Sequence, residues 1–239
     1  LASVRRLLDL QAASIWRDLN DILPSCSGNV LDVGCGAQPY RNLVPDRAAY
    51  RGIDTNRALR DFGYSVPDTT YYDGDTWPVE SAEVDTVLAT ETLEHVPDPA
   101  AFLAEARRCL RPAGRLVLTV PFAARWHFIP HDYWRFTPSG LKLLLERNGF
   151  EVTLIWARGN ALTVACYKTM ALLLPFWFDA SGTVVLRAFS RLFALVLSPL
   201  ILLPALLGAA SLRAGGGNDC LGYTVVAVAP ESDFTAETT

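Results

Sequence analysis

Two stretches concentrate the residues that can do chemistry. The first is Asp32-Val33-Gly34-Cys35-Gly36. Two glycines one residue apart permit positive φ and let a ligand come close to bare main chain. The N–H groups of such a turn, with the first turn of a following helix, make a seat for an anionic or polar ligand. Asp32 is an acid in an apolar run, so it either anchors loop amides or faces a cationic or amine-bearing ligand. Asp54 follows about 20 residues later, where an acid can accept two hydrogen bonds from ribose hydroxyls. The second stretch is 122–136, with Arg125, Trp126, His127, His131, Asp132, Tyr133, Trp134 and Arg135. Imidazoles exchange protons near neutral pH. His127 and His131 are therefore candidate general bases, Asp132 an orienting partner, and Tyr133, Arg135 and Trp126 candidate contacts to an acceptor. The alternative for this stretch is a folded aromatic lid whose histidines cap backbone.

The elements around these stretches read as alternating strands and helices. Val30 to Val33 is a short buried strand. Tyr50 to Asp54, Thr69 to Tyr72, Val84 to Ala89 and Arg115 to Pro121 read as the next four. A helix from Leu7 to Leu23 precedes the first strand and is expected beside the ligand pocket. Pro39 is placed to open a helix after the glycine loop. Residues 99–110 form an amphipathic helix that stops at Arg111-Pro112-Ala113-Gly114. Thr137 and Pro138 cap a further helix that Gly149 ends. Phe150 to Trp156 and Leu221 to Ala229 read as strands six and seven. Open α/β sheets bind ligands at the carboxyl ends of their strands, and 122–136 leaves the fifth strand at that edge.

The order and spacing of these features resemble the class I S-adenosylmethionine-dependent methyltransferases, in particular a type 11-like family of small-molecule enzymes. Their first motif is an acid followed by Gly-x-Gly, here Asp32, Gly34 and Gly36. Many members have a third glycine two residues on, where this chain has Gln38-Pro39. Thr90-Glu91-Thr92-Leu93-Glu94-His95-Val96-Pro97-Asp98-Pro99 and Leu110-Arg111-Pro112-Ala113-Gly114-Arg115-Leu116 are similar to the same family. The resemblance implies a doubly wound, Rossmann-like α/β sheet of seven strands, the last antiparallel. It implies S-adenosyl-L-methionine as cofactor and S-adenosyl-L-homocysteine as product. Asp32, Gly34, Cys35, Gly36, Asp54, Asp75, Trp77 and Glu91 are its expected cofactor contacts. Asp54 takes the ribose, Asp75 lies near the adenine amine, Trp77 stacks on or walls the adenine, and Glu91 or Glu94 meets the methionine end. His95 is either a catalyst or a cap for the next helix. The segment His131 to Pro138 is similar to methyltransferases of glycan and lipid-linked saccharide biosynthesis.

The chain has 239 residues, a formal net charge of −4 and 51% hydrophobic residues, with a pI near 5.4 and mean hydropathy +0.21. Nothing points to a nucleic acid partner. The 5 cysteines lack metal-ligand spacing, so reduced thiols of a cytoplasmic protein are expected, without a metal. The opening residues carry charges at an amphipathic period and no signal-peptide pattern, and Leu1 in place of Met points to a trimmed or partial start. The hydrophobic excess sits at 158–217, a helical insertion between strands six and seven. The methyltransferase domain is expected to comprise 1–157 and 218–232. Residues 192–212 carry no charge over about 21 positions, enough to cross a bilayer. Because strands six and seven share one sheet, the chain returns to the side it left. That leaves a two-span hairpin (161–178 and 192–212), a re-entrant segment bent at Pro199 and Pro204, or helices in the interface of the inner membrane face. Trp177, Phe178, Arg187, Arg191 and Arg213 suit the last; a buried lid or dimer interface is the non-membrane alternative. Gly215-Gly216-Gly217 reads as a flexible return and 230–239 as a frayed tail. The expected function is methyl transfer to a small-molecule acceptor, a hydroxyl of a lipid-linked saccharide or another hydrophobic metabolite. The alternatives are a soluble quinone or natural-product methyltransferase with a lid, and an inactive cofactor-binding scaffold.

Overall fold

The computed structural model of the chain describes residues 8–62, 65–174 and 184–231. Seven strands form one sheet: β1 (Gly28–Val33), β2 (Ala48–Thr55), β3 (Thr69–Tyr72), β4 (Val84–Thr90), β5 (Leu110–Pro121), β6 (Glu151–Arg158) and β7 (Gly222–Val228). Their spatial order is β3-β2-β1-β4-β5-β7-β6, with β7 antiparallel. β1 pairs in parallel with both β2 and β4, placing Asp32 opposite Gly52 on one side and Leu88 on the other. Val30, Leu31, Val33, Val87, Leu88, Leu116, Val117 and Leu118 are all buried. Continuous apolar runs, rather than alternation, mark strands covered on both faces.

Six helices are described: α1 (Leu10–Ile22), α2 (Asn56–Phe62), α3 (Pro99–Cys109), α4 (Pro138–Arg147), α5 (Ala161–Leu173) and α6 (Val184–Ser211). Asp98 starts α3 by accepting from the Ala100 and Ala101 N–H groups, with Pro99 in the first position. Such a cap satisfies amides that the helix itself leaves unpaired. Asp98, and not His95, is therefore the cap. α4 starts the same way at Thr137 and buries Leu141 and Leu145. α3 runs directly into β5, which starts at Leu110 and not at Arg115. Leu110 pairs with Val84 and Arg115 with Thr86. The residues between bulge outward through Ala113 at φ +61, held by Ala113 N–H to the Ala229 carbonyl and Ala229 N–H to the Gly114 carbonyl. A Pro/Gly stop for the helix is thus also a β-bulge in the strand.

The chain divides into two compact units, one of residues 16–156 and 223–239, the other of 1–15 and 157–222. The sheet unit holds α1's second half against the sheet by Asp18, which accepts from Trp156 Nε1 at 2.8 Å and Thr224 Oγ1 at 2.7 Å. In the helical unit Leu10, Cys166, Met170, Ile201, Ala205, Leu212 and Leu221 form one buried cluster. Pro199 and Pro204 lie inside α6, where each removes a helical hydrogen bond. Among the described residues no helix is long and apolar enough to cross a membrane. Leu7, Trp177, Phe178 and the tail from 232 lie outside the described residues. The glycine return is fastened and not loose. Gly217 N–H donates to the Gly159 carbonyl at 3.0 Å, and a Cβ on Gly216 would meet the Ala157 carbonyl at 2.5 Å.

Candidate active site

β1 ends at Val33 and the glycine loop follows. Gly34 has φ +68 and Gly36 φ +51. A Cβ on Gly34 would sit 2.5 Å from the Thr92 side chain, so the loop approaches the end of β4 as closely as a bare backbone allows. Gln38, at the place of the third glycine, takes φ +53 itself. The left-handed turn is thus kept with a side chain in it, which is uncommon outside glycine, Asn and Asp. Its amide donates to Thr69 Oγ1 at 2.8 Å and accepts from Arg41 at 3.1 Å, tying it down. No α-helix opens at Pro39; a single 3-10 turn at Arg41–Leu43 follows instead. The loop amides do not form a free anion seat either. Gly34 and Cys35 N–H both donate to the Ile53 carbonyl, and Gly36 N–H donates to Asp54 Oδ2 at 3.0 Å. The Cys35 side chain is buried, and burial, with the Asp32 charge, pushes its thiol up to about 12.

The acids carry the polarity of this pocket. Asp54 ends β2, and its other oxygen accepts from Thr55 N–H at 2.8 Å. Burial raises its pKa and the Thr55 and Gly36 amides act against that rise. Asp32 is 1% exposed. One oxygen accepts from the Tyr50 hydroxyl at 2.6 Å, and Oδ1 is buried with no hydrogen-bond partner. Burial pushes this carboxyl up to about 7, the Tyr50 bond opposes the rise, and the Asp54 charge adds to it. A buried acid with an orphaned oxygen, beside a glycine loop that a Cβ would fill, fits a ligand that brings its own donor. Tyr50, Gly52 and Asp54 share one face of β2. That alternation was the signal for Tyr50, which sequence reasoning missed; Gly52 leaves room for the Cys35 and Gln38 side chains. Asp75 is exposed after β3. Trp77 is 4% exposed, its ring edge-on to Phe102 at 5.0 Å and its main-chain N–H donating to Glu105 Oε2 at 2.7 Å. It packs under α3 and offers no open face for stacking, contrary to expectation.

β4 delivers the opposite wall. Glu91 follows it at φ +49, held by Thr119, whose carbonyl and hydroxyl accept its N–H at 2.9 and 3.1 Å. A left-handed glutamate is a strained backbone of the kind found at functional sites. Thr92 Oγ1 ties this end to the Val33 carbonyl at 3.3 Å. The loop after β5 is stitched to the same segment. Tyr133 N–H donates to the Glu94 carbonyl at 2.8 Å, His95 Nδ1 to the His131 carbonyl at 2.6 Å, and Trp134 Nε1 to the Val96 carbonyl at 2.9 Å. Within the loop Asp132 is the organiser. Arg135 grips both its oxygens at 2.6 and 2.8 Å, and the His127 N–H and Nδ1 approach Oδ2 at 3.0 and 3.1 Å. Burial disfavours its charge, but the Arg135 fork and the His127 amide outweigh that and hold the carboxyl below the usual carboxylate range. Arg135 is thereby spent on Asp132, not directed at an acceptor. His131 Nδ1 lies 2.9 Å from the Tyr133 hydroxyl. Burial lowers His95 below the usual imidazole range. Trp126, Phe128 and Ile129 are 61%, 54% and 61% exposed.

A family profile described as "Methyltransferase domain" matches residues 5–155. Among curated proteins, an uncharacterised 37.1 kDa protein in transposon TN4556 of Streptomyces fradiae is 36% identical over 132 residues, 50% of this chain and 36% of that one. The ubiquinone biosynthesis O-methyltransferase of Cereibacter sphaeroides is 30% identical over 165 residues, 59% of this chain and 67% of that one. The chain thus spans about a third of the first relative and two thirds of the second. Among solved structures, the [4+2]-cyclase SpnF superposes with TM-score 0.57 at 19% identity, covering 93% of this chain and 83% of that one. Phosphoethanolamine N-methyltransferase 2 of Haemonchus contortus, solved with S-adenosylhomocysteine, gives TM-score 0.51 at 13% identity over 91% of this chain and 53% of that one. The strand order with its antiparallel β7 is the fold they share. The chain belongs to the methyltransferase-domain family and is an S-adenosylmethionine-dependent class I methyltransferase.

Proposed function

We propose that this enzyme methylates a hydroxyl of a small apolar acceptor, a lipid-linked saccharide or another hydrophobic metabolite. The observation that carries the acceptor class is the exposed rim of Trp126, Phe128 and Ile129 beside the imidazoles. A contiguous apolar rim in water marks a surface that meets apolar matter. Oxygen as the target is supported by the Cereibacter sphaeroides relative, an O-methyltransferase of ubiquinone biosynthesis.

Asp54 is the residue to hold the ribose hydroxyls, since each of its oxygens has one amide donor and keeps a further lone pair. Asp32 faces the amine of the cofactor, Asp75 the adenine amine, and Glu91 the methionine end. When bound, S-adenosylmethionine supplies an electrophilic sulfonium methyl and leaves as S-adenosylhomocysteine. The chain's task is then to align the acceptor and take its proton. His131 is the base. Its ring is half-buried and paired with Tyr133, which offers its hydroxyl to an acceptor. His127 is fixed by Asp132 and the Arg125 carbonyl, and positions rather than accepts.

In the helical unit α6 exposes Leu195, Leu200, Leu203 and Leu206, each more than half accessible. This supports a helix lying on the inner membrane surface, where apolar acceptors collect. The test is transfer of labelled methyl from S-adenosylmethionine into lipid and aqueous cell extracts supplied in parallel. Label in the organic phase, in a product whose new methyl is bonded to oxygen by NMR, is the expected result. Label confined to water-soluble products, or bonded to nitrogen or carbon, overturns this reading.

A further inference from the structure

Glu94, His95 and His127 bring one ligand atom each to within 4.8 Å of the other two. Glu94 is fully buried, and its Oε1 lies 3.6 Å from His95 Nε2. The His95 and His127 rings meet at 5.0 Å and 84°. Four ligands around a tetrahedral ion at about 2.1 Å stand about 3.4 Å apart, so the first pair is already at coordination spacing.

The outer contacts fix which nitrogens are available. A carbonyl oxygen only accepts, so His95 Nδ1, 2.6 Å from the His131 carbonyl, carries the proton. His95 Nε2 then holds a lone pair, and this atom is buried without a hydrogen bond. His127 Nδ1 likewise faces only acceptors, the Arg125 carbonyl at 3.0 Å and Asp132 at 3.1 Å. Its lone pair is on Nε2. Metal-bound histidines characteristically donate their other N–H to a carbonyl or carboxylate, which fixes tautomer and ring angle. Both imidazoles here are held that way. Asp132 is itself clamped by Arg135, so the carboxylate behind His127 cannot swing away.

We propose that Glu94, His95 and His127 bind a divalent transition-metal cation of the zinc type. Two imidazoles and a carboxylate select such ions over magnesium and calcium, which prefer all-oxygen shells. Three protein ligands leave a fourth position open. This role rests on the hydroxyl-acceptor reading: the ion holds the acceptor oxygen in that position, eases breaking of its O–H bond, and the proton goes to His131. Spacing in the sequence does not reveal the site, because His127 comes from a different loop than Glu94 and His95.

The test is calorimetric titration of chelator-stripped protein with zinc chloride and, separately, magnesium chloride. Wild type is expected to take up one zinc ion and no magnesium, with zinc affinity at least tenfold weaker in His127→Ala. All five cysteines remain in that variant, so the loss cannot be assigned to thiols. His127 is partly exposed, and unchanged S-adenosylmethionine affinity in the same variant certifies its fold; His127→Gln is the substitute if His127→Ala precipitates. No zinc uptake, equal uptake in the His127 variants, or preference for magnesium overturns the site. Zinc binding with products methylated on nitrogen or carbon keeps the site and overturns only the hydroxyl reading.

Discussion

Around Asp32 and Asp54 the polar contacts run within adjacent strands and the loop that leaves one of them: Tyr50 to Asp32, Gly36 and Thr55 to Asp54, Gly34 and Cys35 to the Ile53 carbonyl. Around His127 and His131 they run within one loop, organised by Asp132, and across to the 94–96 segment, and the aromatic side chains at the rim stay in solvent. The first region is set by strand register, so its geometry follows once the sheet forms. The second depends on a few hydrogen bonds across a gap of some 30 to 40 positions in sequence, each worth about 1 kcal/mol net. One scaffold can therefore keep its cofactor half and vary its acceptor half by changing loop sequence alone.

The sharpest way to break this contrast is to remove a group from each half. His131→Ala should lower turnover by about 100-fold to 10000-fold, the usual worth of a positioned proton acceptor, and leave S-adenosylmethionine affinity unchanged by calorimetry. Retained turnover would move the base elsewhere. Asp32 gives the next largest effect. Its carboxyl titrates near 7 in the fold and near 3.8 when unfolded. Between these values the folded chain binds the extra proton. The stabilisation is full below pH 3.8 and is lost as the pH climbs through 7, by about 4 kcal/mol in all. The thermal midpoint of the ligand-free protein should fall between pH 5 and 8, and Asp32→Asn should flatten that slope. An equal slope in the variant would show that Asp32 is not the titrating group.

The sheet was legible because a strand covered on both faces must be apolar throughout, and Val30, Leu31, Val87, Leu88 and Leu116 to Leu118 announce that. Thr137 declares its helix by side-chain chemistry at the cap. The places of Asp32 and Asp54 near the ends of β1 and β2 were legible too. What the sequence did not disclose is where side chains spend their hydrogen bonds. Trp77 looks like a stacking platform until Phe102 is seen beneath it. Arg135 looks like an acceptor contact until Asp132 is seen holding it. Gln38 looks like a broken glycine motif, yet its backbone takes the glycine's φ. Gly216 looks loose, but close approach to the Ala157 carbonyl requires it small. The Trp77 and Gly216 contacts depend on partners far along the chain, which local pattern cannot supply.

Two smaller effects sharpen the comparison. Asp54→Ala should weaken S-adenosylmethionine binding by about tenfold to a hundredfold, through loss of charge-assisted hydrogen bonds. Unchanged affinity by calorimetry would free Asp54 of the ribose. The smallest effect separates the loop between the two halves from both. Asp98 accepts from two amides at the start of α3, and Asp98→Ala should cost about 1 kcal/mol of stability. α3 buries Phe102 against Trp77 and follows the turn that carries Glu94 and His95. If the two halves are independent, the substitution lowers the denaturation midpoint while both cofactor affinity and turnover stay as they were. A fall in turnover at constant cofactor affinity would instead show that the Glu94 and His95 turn is positioned by the helix behind it. The acceptor half would then owe its geometry to α3 as much as to its own loop.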